Sequence, residues 1–102
     1  MGLLSRKPAT ENDNKIEKEL TIVNRLGLHA RPSAMFVKVC SRYKADIWVE
    51  KDGEQVNGKS IMGLMMLAAG QGSKLRVTCE GSDAEKALEE IESLIQRKFD
   101  EE

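Results

Sequence analysis

The chain has one histidine, two cysteines, almost no net charge and no long apolar run, and each shortage removes a class of function. No stretch approaches the roughly 18 apolar residues that a membrane span needs, and the polar start from Met1 to Lys18 lacks the apolar segment of a signal peptide. Membrane insertion is therefore not expected, and a cytoplasmic location is. Lys and Arg total 16 against 17 Asp and Glu, a formal net charge of −1, which supplies no broad basic surface for a nucleic acid or an anionic membrane. Cys40, in a helical pattern, and Cys79, in a strand pattern, lack the spacing of a metal knuckle or a redox pair and read as reduced core residues. With no ligand cluster in the chain, neither a metal site nor a cofactor is expected.

What remains suits one compact domain, since 102 residues with 40% hydrophobic content support one modest core and not two. Residues 1–15 mix Ser, Lys, Pro, Thr, Asn and Asp without periodicity and read as a flexible polar extension before a domain at 16–102. From Ile16, the alternation around Leu20 and Ile22 predicts a strand with one buried face. Ala30 to Tyr43 reads as a helix with Pro32 in its first turn, and with Ala34, Val37 and Cys40 among its core-facing positions. Asp46 to Lys51 and Glu54 to Asn57 form a hairpin about Asp52-Gly53, with Ile47 and Val49 on one face and Trp48 on the other. Ser60 caps a short helix, Ile61 to about Ala68, that Gly70 and Gly72 end. Leu75, Val77 and Cys79 alternate in a further strand. Ser82 or Asp83 caps a last helix carrying Ala84, Ala87, Leu88, Ile91, Leu94 and Ile95 on one face, with a solvated Glu-rich face opposite and a frayed acidic end at Asp100-Glu101-Glu102. The order β-α-β-β-α-β-α implies an α+β fold, with helices on one face of a small, largely antiparallel sheet.

The only imidazole lies where the first strand pattern gives way to a helix, in Gly27-Leu28-His29-Ala30-Arg31-Pro32. The first turn of a helix has backbone N–H groups without intrahelical partners, and its dipole favours an anion there. Imidazole is a nucleophile near neutral pH, and a guanidinium stands two residues on. A lone histidine is more often structural or merely exposed, and a lone Arg31 a solvated charge, so the weight comes from their placement together.

Asn24, the run from Gly27 to Pro32, and Val56-Asn57-Gly58-Lys59-Ser60-Ile61-Met62-Gly63-Leu64-Met65 together resemble the histidine-containing phosphocarrier family, HPr, from about Ile16 to Phe99. The resemblance implies an open-faced β-sandwich with four strands and three helices on one face of the sheet. It also implies a monomeric phosphoryl carrier of the bacterial sugar phosphotransferase system, taking a group from phosphorylated enzyme I and giving it to enzyme IIA. His29 would carry the group on Nδ1, with Arg31 pairing its oxygens and the backbone N–H groups of Ala30 and Arg31 adding donors. Ser60 matches a serine that some members offer to an ATP-dependent HPr kinase/phosphorylase, and Ile61, Met62 and Met65 match apolar docking residues. Less usual for the family are the extension, Arg25, Gly58, and Ser33, which is expected on the helix face that partners touch. The other function class open to such a chain is a regulatory phospho-switch of a nitrogen-related or incomplete phosphotransferase system, acting on transcriptional or metabolic partners.

Overall fold

The computed structural model describes residues 14–101, so most of the proposed extension, and Glu102, lie outside the described residues. Seven main elements follow the anticipated order: β1 (Lys15–Thr21), α1 (Ala30–Cys40), β2 (Asp46–Lys51), β3 (Glu54–Asn57), α2 (Ile61–Met66), β4 (Lys74–Glu80) and α3 (Ala84–Gln96). A single 3-10 turn, Lys98–Asp100, follows α3. The strands form one sheet in the order β1-β4-β2-β3, and every neighbouring pair is antiparallel.

Alternation places one face of this sheet inward. Leu20, Ile47, Val49, Leu75, Val77 and Cys79 are buried, and the three helices cover them. The other face is polar, with Trp48 half-buried in a shallow cleft among Lys15, Glu17, Glu50, Gln55, Thr78 and Glu80. The first strand starts slightly earlier than expected, because Lys15 opens β1, and the Asn14 carbonyl accepts from the Gly81 N–H at 2.9 Å.

The last helix buries all six of its anticipated apolar residues. In α1 the buried set is Pro32, Ser33, Phe36, Val39 and Cys40, so Ala34 is exposed and Val37 only partly covered, against expectation. The core face is set by Phe36 and by Ser33, whose Oγ donates to the Leu28 carbonyl at 3.2 Å. Ser33 is thus fully buried and does not lie on a face that partners touch. The helix also stops earlier, at Cys40, and turns through Ser41 and Arg42.

Three further details depart from the sequence reading. Helix α2 ends at Met66, before either glycine, and the chain leaves it through Ala68 at φ +51°. Asp83 occupies the N-cap position of α3 but caps nothing there. Its carboxylate accepts instead from the Lys44 and Ala45 N–H groups, both at 2.9 Å, joining the α1–β2 loop to the start of α3. The Glu-rich face of α3 is not wholly solvated: Glu90 meets Arg42 and the Tyr43 hydroxyl, and Glu92 accepts from Lys18 of β1 at 2.9 Å.

Both cysteines are buried and free, and burial pushes the Cys40 thiol up to about 12 and the Cys79 thiol to about 11. Neither is poised as a nucleophile. Among the described residues no helix is long and apolar enough to cross a membrane, and no cluster of three or more His, Cys, Asp or Glu could hold a metal ion.

Candidate phosphoryl-transfer site

The loop from Ile22 to Leu28 delivers the histidine, and neighbouring backbone fixes it. Ile22 donates its N–H to the Ser73 carbonyl and accepts from the Gly72 N–H, at 2.9 and 2.8 Å. Leu28 then donates to the Ala69 carbonyl at 2.8 Å. Between them Gly27 adopts φ +69°, and a Cβ at that position would fall 2.3 Å from the Ala69 oxygen. No other residue could combine that backbone conformation with so close an approach.

His29 follows as the N-cap residue of α1, with extended backbone, and its carbonyl accepts from the Ser33 N–H at 3.0 Å. Its side chain makes no capping bond. The first-turn donors of Ala30 and Arg31 therefore have no side-chain acceptor at the helix end, and Pro32 has no N–H to satisfy. No acidic residue stands in that turn. The arrangement is suited to an anion arriving from outside.

The ring is 39% exposed and its Nε2 lies 2.8 Å from Oε2 of Glu101, in the acidic end to which the sequence reading gave no chemistry. As far as Glu101, the last described residue, that end is not frayed. Phe99 is fully buried, and the turn it anchors brings Glu101 back across the amino end of α1. The other carboxylate oxygen of Glu101 accepts from Asn24 Nδ2 at 3.0 Å, and the same amide donates to the Gly27 carbonyl at 2.9 Å. Asn24 is completely buried, and its Oδ1 has no partner among the described residues.

The Asn24 amide holds the Glu101 carboxyl below the usual carboxylate range; burial opposes this, while the bond from His29 and the charge of Arg31 reinforce it. Glu101 is therefore an anion at neutral pH and acts only as an acceptor. It engages the ring at Nε2, and Nδ1 has no hydrogen-bond partner among the described residues. Arg31 and Arg25 line one open cleft with Leu26 and Glu101, so Arg25 does add positive charge near the site.

The second motif lies across the α2 end of the molecule. Ser60 Oγ accepts from the Gly63 N–H at 3.0 Å, a self-contained cap. Gly58 has a direct cause: its N–H donates to the Ile47 carbonyl at 2.7 Å, and an added Cβ would fall 2.7 Å from Ile47 Cγ2. Beyond Ser60 the side chains divide as anticipated. Leu64 and Leu67 are buried, while Ile61, Met62 and Met65 are exposed. Met66 and Leu26 are each 66% exposed as well and were not singled out from the sequence.

Residues 16–97 match the family described as "PTS HPr component phosphorylation site". The chain belongs to the HPr family. Phosphocarrier protein HPr of Treponema pallidum is 47% identical over 87 residues, 85% of this chain and 99% of that protein. The HPr-like protein Crh of Halalkalibacterium halodurans is 43% identical over 83 residues, 81% of this chain and 99% of that one. The crystal structure of HPr-C-His from Thermoanaerobacter tengcongensis matches with a TM-score of 0.82 at 47% identity, covering 85% of this chain and 98% of that chain. HPr of that organism is also solved as a dimer, so the expectation of a monomer does not follow from the family alone. Membership makes the chain a phosphocarrier-type component of the phosphotransferase system, on the expected open-faced fold.

Proposed function

We propose that the chain carries a phosphoryl group on Nδ1 of His29. The group comes from phosphorylated enzyme I, and so from phosphoenolpyruvate, and passes to enzyme IIA during sugar uptake in the cytoplasm. The observation that carries this reading is the state of the ring: partly exposed at an uncapped helix end, with Nε2 engaged and Nδ1 left over.

The incoming group is an anion, and three kinds of donor favour it: the N–H groups of Ala30 and Arg31, the dipole of α1, and the Arg31 guanidinium, whose fork suits phosphoryl oxygens. The site is an open cleft and not a closed pocket, as a carrier requires, because a group bound too firmly could not be passed on. The acceptor's own active site completes the transfer.

Ile61, Met62 and Met65 support the role of docking surface for enzyme I and enzyme IIA by their exposure of 43%, 71% and 43%. Flexible thioethers adapt to several partners. Ser60, beside this surface, is the site proposed for regulatory phosphorylation by an ATP-dependent HPr kinase/phosphorylase. A phosphate there would add charge next to Met62 and Met65 and weaken apolar docking. The 39% identity to Crh, the Bacillus subtilis catabolite repression HPr, supports a second reading, a phospho-switch that works by changing its affinity for transcriptional or metabolic partners.

Incubation with enzyme I and phosphoenolpyruvate, followed by intact-mass measurement, tests the first reading. An acid-labile phosphate absent from the His29→Ala variant is expected. A folded wild-type chain that stays unmodified would sink the carrier reading and leave the switch, addressed through Ser60 with an ATP-dependent kinase.

A further inference from the structure

We propose that Glu101 is a positioning residue for phosphoryl transfer: it keeps the His29 proton on Nε2, so that the Nδ1 lone pair is free to attack. It then offsets the positive charge the ring acquires. The proposal rests on the reading of His29 as the phosphoryl acceptor.

Glu101 and His29 are 72 residues apart in the chain, and their 2.8 Å contact is over-determined. Both carboxylate oxygens are engaged, one by the ring and one by Asn24, and Asn24 is itself fully buried and tied to the Gly27 carbonyl. The orientation of the carboxylate is thus set by the same loop that sets the ring.

The backbone holds an unfavourable conformation to make this contact. Lys98, Phe99 and Asp100 all have left-handed φ, at 59°, 55° and 58°. Each such non-glycine residue is strained, because its Cβ crowds the following carbonyl oxygen. Burial of Phe99 holds the turn, and the turn aims Glu101 at the imidazole. Strain gathered beside a functional group is a mark of positioning.

The chemistry follows from one fixed proton. An ionised carboxylate can only accept, so in the neutral ring Nε2 must donate and Nδ1 keeps its lone pair. In the forward step that pair forms the N–P bond, while the P–N bond of the donor's phosphohistidine breaks and its electrons return to the donor's ring. His29 retains its Nε2 proton and becomes a cation, opposite the Glu101 anion. In the onward step the N–P electrons return to Nδ1 and the ring is again neutral. At no point does a proton have to leave Nε2.

The test uses the full chain carrying Glu101→Ala, with Glu101→Gln as the variant that preserves shape and an acceptor oxygen without the charge. Ring ¹⁵N spectra of His29 read which nitrogen bears the proton, and phosphorylated enzyme I provides the rate. The wild type should show the Nε2–H form alone. Glu101→Ala should show a mixture and lower kcat for phosphoryl acceptance about tenfold with KM unchanged, with Glu101→Gln between the two. An unchanged tautomer and kcat in Glu101→Ala would overturn the proposal, as would a change confined to KM, which marks a docking contact. A wild-type chain that accepts no phosphoryl group overturns the carrier reading itself, whereas acceptance indifferent to Glu101 overturns only this role.

Discussion

Helices α1 and α2 begin in the same way and use that beginning differently. His29 and Ser60 are both N-cap residues with extended backbones. Ser60 turns its hydroxyl inward to the Gly63 N–H, so the end of α2 is satisfied by its own chain. His29 turns its ring away, to a residue 72 positions later, and leaves the donors of α1 open. A good cap stabilises a helix by about 1 kcal/mol. At α1 that stabilisation is forgone, and the donors are left open to an arriving anion. The amino end of α3 shows a third use, since Asp83 holds the α1–β2 loop and not its own helix.

The sharpest way to separate the first two ends is to cut the remote support of only one. Phe99→Ala should destabilise the fold by about 3–5 kcal/mol in urea titration, as for a fully buried phenylalanine, and should release Glu101 from His29 while the Ser60 cap stays intact. A loss under about 1 kcal/mol would mean that the turn after α3 is not anchored as described.

A smaller effect probes the caps directly. Ser60→Ala should cost about 1 kcal/mol, and His29→Ser should be more stable than His29→Ala by a similar amount, because serine can supply the cap that histidine withholds. Thermal unfolding of the three variants reads both differences. Equal stability of the two variants at position 29 would show that the end of α1 has no unmet need.

The weakest probe concerns the third end. The Lys44 N–H, with that of Ala45 and against the opposing effect of burial, holds the Asp83 carboxyl below its ordinary 3.8. The folded chain therefore binds this proton less readily than the unfolded chain does. The stabilisation is fully present above the unfolded value and is lost as pH falls through the lower folded value. Asp83→Asn should flatten the acid limb of a stability-against-pH curve below about pH 4 and leave its neutral part level. An unaltered acid limb would mean that these two bonds contribute nothing to it.

What the sequence made legible follows the range of the forces involved. The inward face of α3 and the alternation in β2 and β4 are local periodicities, and Ile91, Val49 and Val77 are buried as read. The face of α1 was misjudged because Ser33 is polar yet buried, and its bond to the Leu28 carbonyl is a feature of the loop before the helix and not of helical spacing. His29, Arg31 and Ser60 were singled out through two motifs, each continuous along the chain. Glu101 was missed because its partners, Asn24 and His29, are more than 70 residues away and three acidic residues in a row read as solvated. One signal was available: Phe99, a large apolar residue amid a polar end, has no reason to be there unless the end folds back.

The bond from Leu28 to the Ala69 carbonyl, made possible by Gly27, joins the histidine loop to the segment leaving α2. Its consequence is one of registration. Met62 and Met65 lie on the helix that this bond ties to the imidazole's loop, so on the proposed docking role a protein that recognises the methionines would find the histidine at a set offset, with no search of its own. On that proposal, unrelated enzymes would share this chain as tools share a standard fitting, each needing to match only one small apolar surface and one known displacement.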